Sequence, residues 1–168
     1  NERLELALEA ADYGCRVCIL RIGMVLGREG GALAKMLPAY RLGAGGPIGD
    51  GQQQISWILL DDLVAIIAFL LEQTNCQGIY HGTAPHAVSQ QEFARLLAQT
   101  LGKPQGLRLP GWLLRTLFGE MADLLLYGQN VVPQRLLDAG FHFRHPELAA
   151  ALRHLFKESK SRISVAEI

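Results

Sequence analysis

The sequence lacks an excess of charge of either sign, since its 168 residues include 16 Lys and Arg and 16 Asp and Glu. A nucleic-acid-binding protein usually carries a basic excess or a basic stripe, so we expect no nucleic-acid partner. With 49% apolar residues, the chain has enough hydrophobic material for a buried core, and disorder is excluded as its main state.

Long hydrophobic runs are also absent. The longest strongly apolar stretch runs from Leu63 to Leu71, whereas a membrane-spanning helix needs about 20 residues. We therefore expect a buried helix at this stretch and no membrane partner. The sequence begins at Asn1, without a Met or the basic start of a signal peptide, and we expect that the beginning of a longer protein is missing.

Cysteine is scarce, with Cys15, Cys18 and Cys76 only. A low, odd number fits a reducing cytoplasm and not a disulfide scaffold, so we expect a cytoplasmic protein. Cys15 and Cys18 have the C-x-x-C spacing of redox pairs and half zinc sites, but no second pair and no nearby His accompanies them. Because residues at i and i+3 of a strand face opposite sides, we interpret these cysteines as structural.

Self-sufficient catalytic motifs are missing too. The sequence contains no H-E-x-x-H, no G-x-S-x-G and no P-loop, and its five histidines form no ligand set, so we predict no metal site. The glycine-rich segment 43–51 is interpreted as a mobile turn that brings backbone close to a ligand or to another loop. Asp61 and Asp62 are neighbours and do not face each other on a helix, so we expect them to cap a helix and not to share a proton.

What is present is an alternation of helices and buried strands. Gly14 ends a predicted helix, and the β-branched run 16–22 follows as a strand of a parallel sheet. Strands are also predicted at 54–58, 78–81 and 141–143. Helices are predicted at 32–42 (bent or ended by Pro38), 61–71, 89–101 (capped by Ser89), 112–118, 121–127, 133–139 and 146–156, followed by a frayed tail.

Seven short segments occur in an informative order. They are LRIGMVLG at 20–27, GGAL at 30–33, GDGQ at 49–52, SWILLDDL at 56–63, GTAP at 82–85, EF at 92–93 and GQNVVP at 128–133. Together they resemble the epimerase-like branch of the extended short-chain dehydrogenase/reductase superfamily, the NAD-dependent epimerase/dehydratase proteins. The resemblance covers nearly everything from about residue 14 to about residue 156.

The resemblance implies an α/β fold: the late part of a Rossmann-type doubly wound parallel sheet plus a helix-rich substrate and C-terminal lobe. Residues 1–84 would form the C-terminal part of the NAD(P)-binding domain, with a substrate-lobe insertion at 28–57. Residues 85–157 would form a helical C-terminal domain, and 158–168 a tail.

The family's catalytic Tyr-x-x-x-Lys and its glycine-rich pyrophosphate turn are both absent from this sequence, so we assign no catalytic residue. By resemblance, Ile22, Gly23 and Val25 would line the nicotinamide side of the cofactor site, largely through backbone. Gln54 and Trp57 are the matching substrate-side candidates. Core packing is an equally good interpretation of Trp57, because Trp is usually well buried.

The functional expectation is the C-terminal portion of an NAD(P)-dependent sugar-nucleotide epimerase or oxidoreductase, inactive alone. NAD or NADP would bind the full-length protein, with a small molecule such as a nucleotide sugar as substrate. The alternative is a non-catalytic binding or regulatory module, because Leu59 and His81 stand where the branch often has His and Asn. A sheet without its first strands leaves an open edge, so we expect self-association or pairing with the missing N-terminal half.

Overall fold

The computed structural model describes residues 9–108, 128 and 130–165, with side chains up to residue 157. A 3-10 turn at Ala10–Tyr13 precedes the first strand, and Gly14 ends it in the left-handed conformation. The strands in these ranges are β1 (Cys18–Ile22), β2 (Met24–Leu26), β3 (Gln54–Ile55), β4 (Trp57–Leu59), β5 (Gly78–Gly82) and β6 (Val88–Ser89). The helices are α1 (Gly31–Arg41), α2 (Leu60–Glu72), α3 (Gln90–Thr100), α4 (Gln134–Asp138) and α5 (Leu148–Val165).

The parallel strands change partner at one residue. β1 pairs with β5, and β2, which follows directly in the chain, pairs with β4. Between them, the Gly23 amide donates to the Gly82 carbonyl (3.2 Å), and the Met24 amide donates to the Ser56 carbonyl (2.8 Å). Helix α2 connects β4 to β5. This arrangement confirms the predicted α/β class with parallel strands.

Two hydrophobic clusters lie on either side of this framework. The first joins α1, α3 and α5 to β2 and β4, around fully buried Trp57 and Phe93. The second joins α2 and α4 to β1 and β5, around Ile66, Tyr80 and Leu136. In the second cluster, the Phe141 ring packs edge-on against both Phe69 and Phe143.

The two edges of the β1–β5 pair differ. Arg135 of α4 covers the outer edge of β5, because its Nη1 donates to the Ile79 carbonyl (2.7 Å) and its Nη2 to the Gln77 carbonyl (2.8 Å). The same guanidinium lies 4.5 Å from the centre of the Tyr80 ring. Within the described ranges, β1 pairs with β5 alone, and Ile22 at its end is exposed. The sheet therefore has one blocked edge and one open edge.

The C-terminal end of α2 is capped by the side chain of Arg16, which lies just before β1 in the sequence. Arg16 Nη1 donates to the Leu70 carbonyl (2.8 Å) and the Cys76 carbonyl (3.0 Å), and its Nη2 donates to the Leu71 carbonyl (3.0 Å). A cation at this end also complements the helix dipole. All three cysteines are free thiols, and Cys18 Sγ donates to the Cys76 carbonyl at 3.1 Å.

The capping role predicted for Asp61 and Asp62 is wrong. Helix α2 begins one residue earlier, at Leu60, and no side chain caps it. Asp62 is instead buried, and its two carboxylate oxygens accept hydrogen bonds from the Arg144 and His145 amides, both at 3.0 Å. A long-range anchor has taken the place of a local cap, which sequence spacing cannot distinguish.

Several predicted boundaries also differ. Helix α1 continues through Pro38 to Arg41, and the strand expected at 54–58 is interrupted at Ser56. Residues 141–143 form no strand, since their phenylalanines pack as a cluster, and α5 extends to Val165, into the expected tail. The Ser89 cap is confirmed, because its Oγ accepts from the Glu92 amide at 3.2 Å. The predicted helices 112–118 and 121–127 lie outside the described residues.

Replacing Asp62 with Ala leaves two amides without their acceptor next to a buried position. Such unsatisfied groups cost about 1–3 kcal/mol each, so we expect a loss of about 3 kcal/mol in the free energy of unfolding. Urea denaturation measures this loss. The matched control is Asp61→Ala, whose half-exposed carboxylate contacts His154 at 3.2 Å and is expected to contribute less than about 1 kcal/mol. Equal losses for both variants would contradict the anchor.

Candidate functional site

The candidate site lies where the chain passes from β1 to β2, at the carboxyl end of the β1–β5 pair. We call it the strand junction and define it by Gly23, Ser56, Thr83 and Val131. In open parallel sheets, ligands bind outside the carboxyl ends of the strands, at the place where the topology changes. Four segments that are distant in sequence meet here, each from one of the motifs noted above.

At the centre of the strand junction, neighbouring atoms lie too close to Gly23 to leave room for any side chain at that position. A Cβ atom added to Gly23 would lie 2.5 Å from the Ser56 carbonyl oxygen and 2.9 Å from Thr83 Cγ2. Glycine is required here because backbone packs against backbone, not because of its conformational freedom. The close contact brings the β1–β5 and β2–β4 pairs together at a fixed spacing.

Two hydroxyl groups hold the segment after residue 128 against this centre. Ser56 Oγ accepts from the Val131 amide (2.9 Å), and Thr83 Oγ1 donates to the Val131 carbonyl (3.2 Å). Gly128 lies directly on the backbone of Gln54. The GQNVVP motif therefore meets the SWILLDDL and GTAP motifs at the strand junction.

The predicted cofactor-side residues lie together at this place. Ile22 ends β1 with 51% of its surface exposed, and Gly23 follows at the centre of the strand junction. Val25 is half-buried on β2 and packs against the second hydrophobic cluster. The site thus offers an exposed apolar side chain next to backbone, an arrangement suited to one face of a flat ring.

The two predicted substrate-side residues, Gln54 and Trp57, differ in how deeply they are buried. Gln54 on β3 is half-buried, and its Nε2 donates only weakly to the Gln52 carbonyl, at 3.4 Å. Trp57 has no exposed surface, and its Nε1 donates to the His86 carbonyl at 2.9 Å. Trp57 therefore lies in the hydrophobic core, which is the core-packing alternative considered above.

Sequence reasoning missed Ser56, Thr83 and Val131 as site residues. Each lies within a motif that carried the family resemblance, but nothing in the local pattern distinguished a hydroxyl that binds a remote amide from an ordinary loop hydroxyl. Their convergence depends on contacts over 48 and 75 residues of sequence, which no local signal reports.

The two buried tyrosines, Tyr40 and Tyr80, both have raised pKa values. Burial raises the pKa of Tyr40 far above its ordinary value. Burial also raises the pKa of Tyr80, assisted by a hydrogen bond with Cys76 and opposed by the nearby Arg135. Both phenols therefore stay protonated at neutral pH.

The described residues also contain no cluster of three or more His, Cys, Asp or Glu side chains that could bind a metal ion. None of the helices in this part of the chain has the length and apolarity needed to cross a bilayer.

The glycine-rich segment 43–51 is a packed loop. The Gly106 amide donates to the Gly45 carbonyl at 2.8 Å, and Gly46 touches the backbone at residues 106 and 107. Buried Gln90 holds the loop from below, because its Oε1 accepts from the Ile48 amide at 2.7 Å. The sequence predicted that the backbone of this segment approaches either a ligand or another loop. The structure shows it against another loop, at residues 106 and 107, where hydrogen bonds fix it.

Parallel strands, a helical crossover and a site at a strand switch define the class, a Rossmann-type fold of the extended short-chain dehydrogenase/reductase kind. A sequence model described as "NAD dependent epimerase/dehydratase family" matches residues 2–81, and a domain of unknown function, DUF1731, matches residues 109–155. The chain belongs to the NAD-dependent epimerase/dehydratase family.

The chain spans about half the length of the SDR39U1 relatives that it matches. The bovine epimerase family protein SDR39U1 is 47% identical over 153 residues, which cover 90% of this chain and 52% of that protein. The crystal structure of human SDR39U1 with NADPH matches with a TM-score of 0.80 and 40% identity, over 84% of this chain and 48% of that one. A nucleoside-diphosphate sugar epimerase from Corynebacterium glutamicum matches with a TM-score of 0.65 and 27% identity, over 95% of this chain and 31% of that one.

Replacing Gly23 with Ala forces a methyl group against the Ser56 carbonyl. Overpacking of this kind costs about 1–3 kcal/mol, and rigid backbone places the expected loss near the upper end of that range. Thermal or urea unfolding of the chain measures it. Gly27→Ala is the control, because its nearest neighbour is Leu60 Cδ2 at 4.0 Å, and it should change stability by less than about 0.5 kcal/mol. A Gly23→Ala variant as stable as this control would contradict the close contact.

Proposed function

We propose that this chain is the C-terminal portion of an NAD(P)-dependent oxidoreductase or epimerase that acts on a nucleotide sugar. The observation that carries the proposal is the strand junction, which lies at the carboxyl ends of parallel strands and combines an exposed apolar residue with closely packed backbone. The human relative with NADPH and the bacterial nucleoside-diphosphate sugar epimerase support the ligand classes. A cytoplasmic location is proposed on the cysteine content alone.

The described residues fit one end of the cofactor. The exposed Ile22 side chain and the Gly23 backbone suit the flat, partly apolar nicotinamide ring, and Val25 supports them from the second cluster. When bound, the nicotinamide would supply hydride transfer. The turn from β2 into α1 contains Gly27, Gly30 and Gly31 but not the family's G-x-x-G-x-x-G pattern for the pyrophosphate, so the adenosine end would need another part of the protein.

The two substrate-side residues would then act differently. Gln54 has accessible surface and a weakly engaged amide, so its carboxamide is available to a sugar hydroxyl. Trp57 would act from the core, by fixing the His86 carbonyl and the start of β4.

The part of the protein that completes the site would dock on β1 and α2. Among the described residues, the outer edge of β1 pairs with no strand, whereas Arg135 covers two carbonyls at the edge of β5. One exposed face of α2 carries four large apolar side chains at helical spacing, which we call the α2 stripe: Leu60, Val64, Ile67 and Leu71. A strand that pairs with β1 and a helix that covers the α2 stripe would bury both surfaces at once. The chain spans about half the length of its relatives, so we propose their N-terminal half as the occupant, with self-association in its absence.

The 168-residue chain alone should not bind NADH or NADPH at micromolar concentrations, because it lacks a pyrophosphate-binding turn. Calorimetry or nicotinamide fluorescence tests this, with the human relative as the positive control for NADPH. Micromolar binding by this chain would contradict the division of the site between two halves. Fusion to, or co-expression with, the N-terminal half of a relative should restore binding.

The isolated chain should also self-associate through the α2 stripe. Light scattering should report a mass above that of one chain, and the double variant Val64→Lys, Ile67→Lys should lower it, because two charges replace exposed apolar groups. The control is Gln99→Lys, Gln105→Lys, which adds the same charge at exposed positions elsewhere. A clean monomer of the unmodified chain at high concentration would count against the docking surface.

One observation favours a second function, a non-catalytic binding or regulatory module of the same fold. Leu59 is 1% exposed and packs in the first hydrophobic cluster, so it brings no polar group to the site where the branch often has His. The coding sequence upstream distinguishes the two functions. An intact glycine-rich turn and Tyr-x-x-x-Lys support the enzyme, and their absence supports the module.

A further inference from the structure

The strongest feature that the proposed function leaves unexplained is the double attachment of Val131. Its amide and its carbonyl are both engaged, and by hydroxyl groups from two different elements: Ser56 between β3 and β4, and Thr83 directly after β5. Thr83 is 2% exposed. A buried hydroxyl that binds a peptide group of a remote segment fixes that segment in one register, because a shift by one residue would leave polar groups unsatisfied.

Ser56 has a second task at the same place. Its carbonyl accepts from the Met24 amide at 2.8 Å and lies against Gly23, while its hydroxyl accepts from Val131. One residue therefore couples the partner change of the parallel strands to the position of Val131. Asn130, which precedes Val131, is exposed. The Asn130–Val131 peptide, whose amide donates to Ser56 Oγ, therefore lies at the rim of the strand junction.

We propose that Ser56 and Thr83 are positioning residues, which hold Val131 against the strand junction by its amide and its carbonyl and thereby close the nicotinamide end of the cofactor site. This inference rests on the proposed function. Neither hydroxyl would need to touch the cofactor. Both would act through Val131, because the two residues that hold it are the ones that lie against Gly23.

The test uses the protein that contains both halves, with the variants Ser56→Ala and Thr83→Val. Two ligands are titrated: the reduced cofactor that the unmodified protein binds more tightly, NADH or NADPH, and the matching fragment without nicotinamide, ADP-ribose or its 2′-phosphate. Each variant should weaken binding of the cofactor about fivefold to tenfold, the effect of one lost hydrogen bond, and change binding of the fragment less than about twofold. Thr83→Ser keeps the hydroxyl and should restore cofactor binding.

A merely structural role would weaken both ligands together, so equal losses for cofactor and fragment would overturn the inference, as would unchanged binding of both. The control variant is Thr100→Val, which removes a hydroxyl that donates to the Leu96 carbonyl at 2.7 Å, away from the strand junction. It should leave both affinities unchanged.

Hydrogen exchange separates this inference from the proposed function. In the 168-residue chain, Ser56→Ala should accelerate exchange of the Val131 amide about tenfold and leave the Ile58 amide of β4 unchanged. An unchanged Val131 rate overturns the positioning role. If the unmodified protein with both halves binds neither the cofactor nor the fragment, both the proposed function and this inference are wrong. If it binds the cofactor and the two variants bind it equally well, this inference alone is wrong.

Discussion

The close contact between the Gly23 backbone and the Ser56 carbonyl is the constraint on which the rest of this structure depends. It allows one continuous stretch of chain to pair first with β5 and then with β4. That change of partner accompanies the division of the core into two hydrophobic clusters. Because the contact involves backbone, it tolerates no side chain, whereas the surrounding core residues can be exchanged for others of similar volume.

Much of the fold could be predicted from local pattern. The β-branched run before Ile22, the Ser89 cap and the apolar face of α2 each follow from short-range chemistry, and all three appear in the structure. Errors arose where a long-range contact replaced a local one. Asp62 had the spacing of a helix cap but binds two amides more than 80 residues away. The phenylalanines at 141 and 143 alternate like a strand, yet pack as a ring cluster with Phe69.

The candidate site could be predicted less completely. Family resemblance pointed to Ile22 and Gly23, and the structure places both at the strand junction. Composition and spacing could not point to Ser56 or Thr83, since a hydroxyl becomes a positioning group only through the partner that it meets. Composition and spacing also could not decide whether Trp57 contacts a substrate or packs in the core, because an indole ring suits both a pocket and a core. The fold decides, since it buries Trp57 and bonds its Nε1 to the His86 carbonyl.

The unequal edges of the sheet determine where the partner segment that we propose would dock. Arg135 occupies the Ile79 and Gln77 carbonyls on the outer side of β5, so a further strand would pair more readily beside β1. The α2 stripe turns its apolar side chains to solvent, although α2 buries its other face well. A helix with apolar residues on two faces is stable in water only when both are covered. Strand pairing at β1 and helix packing on α2 would therefore be satisfied together by one strand–helix unit, and a partner that met only one of these requirements would leave the other surface exposed.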